Sequence, residues 1–134
     1  MTQLDNLSVM LLEDEYLIAL DGEEILKSLG VKHVQIASTL AAAAELAGQG
    51  GMDVAILDLN INGEMSWDIA DSLHRRGVPI VFASGYELRD RMDSELGVFL
   101  KKPYTRETVK QALEAALIKP VIGPPSSNQI GTPL

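Results

Sequence analysis

The sequence predicts an α/β fold, a doubly wound parallel sheet of five strands in the order 2-1-3-4-5, on three observations. Short apolar runs alternate along the chain with stretches of helical spacing. The run Val54, Ala55, Ile56, Leu57 is continuous rather than alternating, as in a strand covered by helices on both faces. The chain has 134 residues, 46% of them hydrophobic, which suits one domain with a substantial core.

The elements follow in order. Strand one spans residues 7–12, and the helix after it, about 15–29, sets Ile18, Gly22, Ile25 and Leu29 on one face before Gly30 ends it. Strand two is 34–37. Ser38 or Thr39 can then cap an alanine-rich helix that runs through residue 46 and is broken by Gly48, Gly50 and Gly51. Strand three, 54–57, stops at Asp58 and leads through a loop, 59–65, into a helix starting near Ser66. That helix carries Ile69, Ala70 and Leu73 inward and ends at Arg75, Arg76 and Gly77, with cations beside its negative terminus.

Residues 79–83 form strand four and 98–100 strand five. Between them, 85–97 offers only Leu88, Met92 and Leu96 at a four-residue spacing among charges, so the fourth helix is expected to be short or irregular. Thr105 caps a last helix with Val109, Ala112, Leu113 and Ala116 as its inner stripe, closed by Pro120. The domain is therefore expected over 1–119. Residues 120–134, rich in Pro, Gly and Ser, read as a flexible tail too short to fold alone.

Composition narrows the function. No apolar run approaches the roughly 18 residues of a membrane helix, and the N-terminus lacks a signal-peptide pattern, so a cytoplasmic protein is expected. The absence of cysteine excludes thiolate chemistry and cysteine-ligated metal sites, and with only His33 and His74 a histidine-rich metal site is not expected, which leaves oxygen ligands. A net charge of −8 opposes nucleic-acid binding and favours a protein or a small phosphorylated partner.

The polar residues gather where such sheets bind ligands, beyond the carboxyl ends of the strands at the switch in strand order. Glu13 and Asp14 end strand one, Asp58 strand three, Ser84 strand four, and Lys101-Lys102-Pro103 strand five. Crowded carboxylates raise one another's pKa or recruit a cation, and a hard ion such as Mg²⁺ prefers oxygen ligands. Asp14, Asp58 and a loop carbonyl could hold that ion. Asp58 could then attack a phosphoryl group, with Lys102 pairing its oxygens and Ser84 donating a hydrogen bond, so that the new charge pulls the end of strand four inward.

The stretches VMLLEDE, DVAILDLN, VFASGY and FLKKP, in this order and spacing, resemble the receiver domain of bacterial two-component response regulators over about residues 7–117. The resemblance implies a flavodoxin-like fold with Asp58 as phosphoacceptor, Asp14 as direct Mg²⁺ ligand, Glu13 as a ligand acting mostly through water, and the Asn60 carbonyl as another. It implies Ser84 as switch hydroxyl, Phe99 as switch aromatic, Lys102 as the family's lysine, and a cis Lys102-Pro103 bond. VPIVFASGY is similar to a Phe-Ala-Thr-Gly-Tyr subgroup frequent in alphaproteobacteria, which implies an HWE-type histidine kinase or a histidine phosphotransferase as partner. In the loop after Asp58, Asn62-Gly63 stands where the family usually carries a proline.

Simpler roles compete at each position. The acids 13–15 could merely favour a helix N-terminus, Ser84-Gly85 a turn, and Phe99 and Trp67 the core. Lys101 reads as solvated. Three function classes follow: a signalling phosphoacceptor with only self-phosphorylation and autodephosphorylation chemistry; a phosphorylation-independent docking module; and a Mg²⁺-dependent hydrolase. The last normally needs a second acid two residues after its nucleophile, where this chain has Asn60.

Overall fold

The apolar runs form strands and the periodic stretches helices in a computed structural model that describes residues 4–85 and 96–118. In chain order these are β1 (Ser8–Leu12), α1 (Tyr16–Ser28), β2 (His33–Ala37), α2 (Leu40–Gln49), β3 (Val54–Asp58), β4 (Asn60–Ile61), β5 (Glu64–Met65), α3 (Trp67–Arg75), β6 (Ile80–Ser84), β7 (Val98–Lys101) and α4 (Arg106–Ile118). The main sheet has the order β2-β1-β3-β6-β7 and is parallel throughout. It is the expected 2-1-3-4-5 arrangement, renumbered because a small hairpin, β4–β5, intervenes. Of the interval 85–97, where a short or irregular fourth helix is expected, residues 86–95 lie outside the described residues, as does the tail, 120–134.

Strand alternation divides the interior into two layers. Val9, Leu11, Val54, Ile56, Val81 and Ala83 face α1 and α4, whereas Met10, Leu12, Ala55, Leu57, Ile80 and Phe82 face α2 and α3. The inner stripe of α4 is Val109, Ala112, Leu113 and Ala116, and that of α3 is Ile69, Ala70 and Leu73, both as the periodicity predicts. In α1 the stripe is rotated. Ala19, Gly22 and Leu26 are buried, and Ile18 and Ile25 flank them half-buried.

Helix ends follow local chemistry. Thr39 caps α2 by accepting the Ala42 N–H at 3.0 Å, but Gly48 does not break the helix, which continues to Gln49 and stops at Gly50 in a positive-φ conformation. The Thr105 hydroxyl accepts the Thr108 N–H at 3.1 Å at the start of α4. At Gly97, a Cβ would collide with the main-chain carbonyl of Ile80, so only glycine lets the entry to β7 lie this close to β6.

The loop after β3 is more ordered than expected. Asn60 pairs with Met65 and Ile61 with Glu64 in an antiparallel hairpin closed by Asn62 and Gly63, whose φ values are 53° and 90°. Two successive positive-φ residues are the signature of a type I′ turn, for which Asn-Gly is the favoured pair. Ile61 is buried in the α2/α3 layer and anchors the hairpin.

Candidate functional site

Backbone register brings four strand ends together. Leu12 pairs with Leu57, Asp58 with Ala83, and Ser84 with Lys101, so the residues leaving β1, β3, β6 and β7 share one edge. Oxygens of Glu13, Asp14 and Asp58 lie within 4.8 Å of one another there. Into this group reaches Lys102, with its Nζ 2.7 Å from Glu13 Oε1 and 3.0 Å from Asp58 Oδ2. Two of the three carboxylates thus share one ammonium, and the excess negative charge suits a cation.

Glu13 sits deeper than its place at a strand end suggests, at 1% exposure. Its Oε2 accepts the Glu15 N–H at 3.1 Å, and its Oε1 also accepts the Tyr104 hydroxyl at 3.4 Å. Burial pushes its pKa above the ordinary carboxylate value, with the Lys102 ammonium and the Glu15 amide opposing. Burial alone would lower the pKa of Lys102, but its bonds to Glu13 and Asp58 prevail and hold it above the ordinary value. Glu15, expected in the first turn of a helix, is instead the exposed N-cap of α1, and its side chain makes no capping bond.

Asp58 is 7% exposed and held from several sides. Its Oδ1 accepts the Asn60 N–H at 3.3 Å, and its main-chain carbonyl accepts the hydroxyl of fully buried Ser66 at 2.7 Å. Asp14 is half-buried and accepts the Asn62 N–H at 2.9 Å on Oδ2. Ser84 is buried, and its carbonyl accepts the Lys102 N–H at 2.8 Å. Phe99 is half-buried and stacks on Phe82 at 5.4 Å, while Phe82 meets Trp67 at 5.1 Å, so an aromatic row links β7 through β6 to the start of α3. Lys101 is exposed, as expected, and Lys102-Pro103 is cis.

The donor set tests what could bind. It is all oxygen, carries three negative charges against one positive, and includes no histidine, which fits a hard divalent ion such as Mg²⁺. Among the described residues no helix is long and apolar enough to cross a membrane.

Sequence reasoning missed Tyr104, Ser66 and the Asn62 amide. Asn62-Gly63 was a readable turn signal, but nothing in sequence places the Tyr104 hydroxyl against a glutamate 91 residues away. Burial first, then the charges of Glu13 and Asp58, hold the Tyr104 phenol above its ordinary value of 10.0. The unfolded chain releases that proton near pH 10 while the folded chain keeps it. The stability this group supplies is therefore present below pH 10 and lost as pH rises beyond it. Between pH 10 and 11 the unfolding free energy of Tyr104→Phe should fall less steeply than that of the native protein, by up to about 1.4 kcal/mol per pH unit, measured by urea titration.

Residues 9–114 match the family model of the response regulator receiver domain. The structure is similar to the solution structure of SdrG from Sphingomonas melonis Fr1, at 37% identity and TM-score 0.73 over 88% of this chain and 100% of that one. It also resembles a response regulator receiver protein from Sinorhizobium medicae WSM419, a likeness of fold at 24% identity and TM-score 0.75, covering 87% of this chain and 98% of that one. The anti-anti-sigma factor PhyR from Bartonella quintana matches at 27% identity and TM-score 0.73 over 84% of this chain, which spans 49% of that one. A search of curated proteins found no match.

Proposed function

The chain belongs to the response regulator receiver domain family, and on that premise we propose that it accepts a phosphoryl group from a histidine donor onto Asp58 and thereby switches its binding to a partner protein. One observation carries this reading: Glu13, Asp14 and Asp58 offer oxygens within 4.8 Å of one another, beside the ammonium of Lys102 just beyond β7. A resting protein gains little by gathering like charges, whereas an incoming phosphoryl group and its counter-ion need this arrangement.

Glu13, Asp14, Asp58 and the Asn60 carbonyl are the groups that would hold Mg²⁺. When bound, the ion neutralises charge on the carboxylates and on the phosphoryl oxygens. In the transfer, an Asp58 carboxylate oxygen attacks phosphorus as the bond from phosphorus to the donor imidazole breaks. The imidazole departs with the electron pair and the product is an acyl phosphate. Lys102 leaves its carboxylate partners to pair with the phosphoryl oxygens, and Ser84 donates a hydrogen bond to one of them. Movement of Ser84 draws in the end of β6, which Phe82 and Phe99 transmit to the half-buried face of β7.

A histidine kinase, of HWE type on the subgroup resemblance, or a histidine phosphotransferase is the proposed donor. The likeness to PhyR, named an anti-anti-sigma factor, supports a protein as the output partner. Incubation with acetyl phosphate and Mg²⁺ should give a base-labile, acid-stable phosphate on the native protein and none on Asp58→Asn. A native protein that stays unlabelled would favour phosphorylation-independent docking instead.

A further inference from the structure

The β4–β5 hairpin lies between the proposed phosphoacceptor and the proposed ion ligand, bonded to both. At its base, the Asn60 N–H reaches Asp58 Oδ1 and the Ser66 hydroxyl holds the Asp58 carbonyl. At its tip, the Asn62 N–H reaches Asp14 Oδ2 at 2.9 Å across 48 residues of sequence. Within it, the Gly63 N–H donates to Asn60 Oδ1 at 2.9 Å, and buried Ile61 fixes the first strand in the core. The turn therefore cannot shift far without releasing Asp14.

We propose that Asn62 and Gly63 are positioning residues for the cation site: their turn holds the Asp14 carboxylate through one main-chain N–H and so sets how tightly the domain binds Mg²⁺. The inference rests on the assignment of Asp14 as an ion ligand. A carboxylate has two oxygens, so the amide can restrain one while the group still serves an ion. The N–H also offsets part of the repulsion that Asp14 meets from Glu13 and Asp58. An oriented ligand loses less freedom when it binds, which favours binding without adding a ligand.

The conformation that presents this N–H depends on backbone angles that few residues tolerate. Asn62 has φ 53° and Gly63 φ 90°. Asparagine is among the non-glycine residues that adopt positive φ, whereas a β-branched residue there is strained. A Cβ at Gly63 would meet nothing within 4 Å. The first atom of a side chain at Gly63 therefore has room, and the strain of a substitution there falls on the backbone at φ 90°.

The test compares Gly63→Val with the conservative Gly63→Asn. Mg²⁺ affinity is read from the fluorescence of Trp67, the single tryptophan, which begins α3 one residue after Ser66. The Asn62 amide is followed by NMR, and circular dichroism verifies that each variant is folded. Gly63→Val should bind Mg²⁺ about tenfold more weakly, the scale of losing an outer-shell partner, with Gly63→Asn restoring most of the loss. Acetyl phosphate labelling of Gly63→Val should lag at low Mg²⁺ and recover at saturating Mg²⁺. Native-like Mg²⁺ affinity in folded Gly63→Val overturns the inference while leaving the phosphoacceptor reading intact. A native protein that binds no Mg²⁺ overturns both.

Discussion

Lys102→Met should lower the stability of the ion-free protein by about 3 kcal/mol at neutral pH, because removing one partner of a buried charge pair leaves the other uncompensated. Lys102 is the ammonium that Glu13 and Asp58 share at 2.7 and 3.0 Å, and its side chain is only 15% exposed. Methionine keeps much of the stem and removes the charge. Three carboxylates then face one another without an internal cation, and Glu13, deepest of the three, has no exit to solvent. Mg²⁺ should therefore restore more stability to the variant than to the native protein. Urea unfolding with and without Mg²⁺ measures both effects, and equal losses in the two conditions would count against a shared charge site.

Asp14→Asn should weaken Mg²⁺ binding by about 100-fold or more, since losing even an outer-shell partner costs 10–100-fold and Asp14 is assigned to the ion itself. Acetyl phosphate labelling should fall with it. The substitution is nearly isosteric and leaves an oxygen that can still accept the Asn62 N–H, so the hairpin stays in place while the charge is lost. Glu15→Gln, one residue on, should change stability by no more than about 0.5 kcal/mol, because Glu15 is exposed and its side chain makes no cap bond. A Glu15 variant as impaired as the Asp14 variant would mean that the acidity of the whole stretch matters, not the place of one carboxylate.

The strand ends were readable because parallel strands buried on both faces have a plain sequence form and the first polar residue after each marks the functional edge. Asp58 ends β3 in that way, whereas after Leu100 it is the second lysine, Lys102, and not the exposed Lys101, that reaches the site. What sequence hid was depth and distance. Glu13 looked like a rim residue, but the Lys102 ammonium, the Glu15 amide and the Tyr104 hydroxyl let it sit buried. The two-residue strands of the hairpin are too short for periodicity to reveal, although the Asn-Gly pair marked their turn. Gly48 does not end α2, since an exposed glycine costs a helix only about 1 kcal/mol.

The split of the interior into two layers also bears on how freely the sequence can vary. The α1/α4 layer and the α2/α3 layer share the main chain of the sheet but draw on alternate side chains. Substitutions in one layer should combine almost additively with those in the other. Each core can thus drift on its own. The carboxyl edge of the sheet draws on both, with Tyr104 rooted in the first layer and Ile61 of the hairpin in the second, so it is there that independent histories of change must stay compatible.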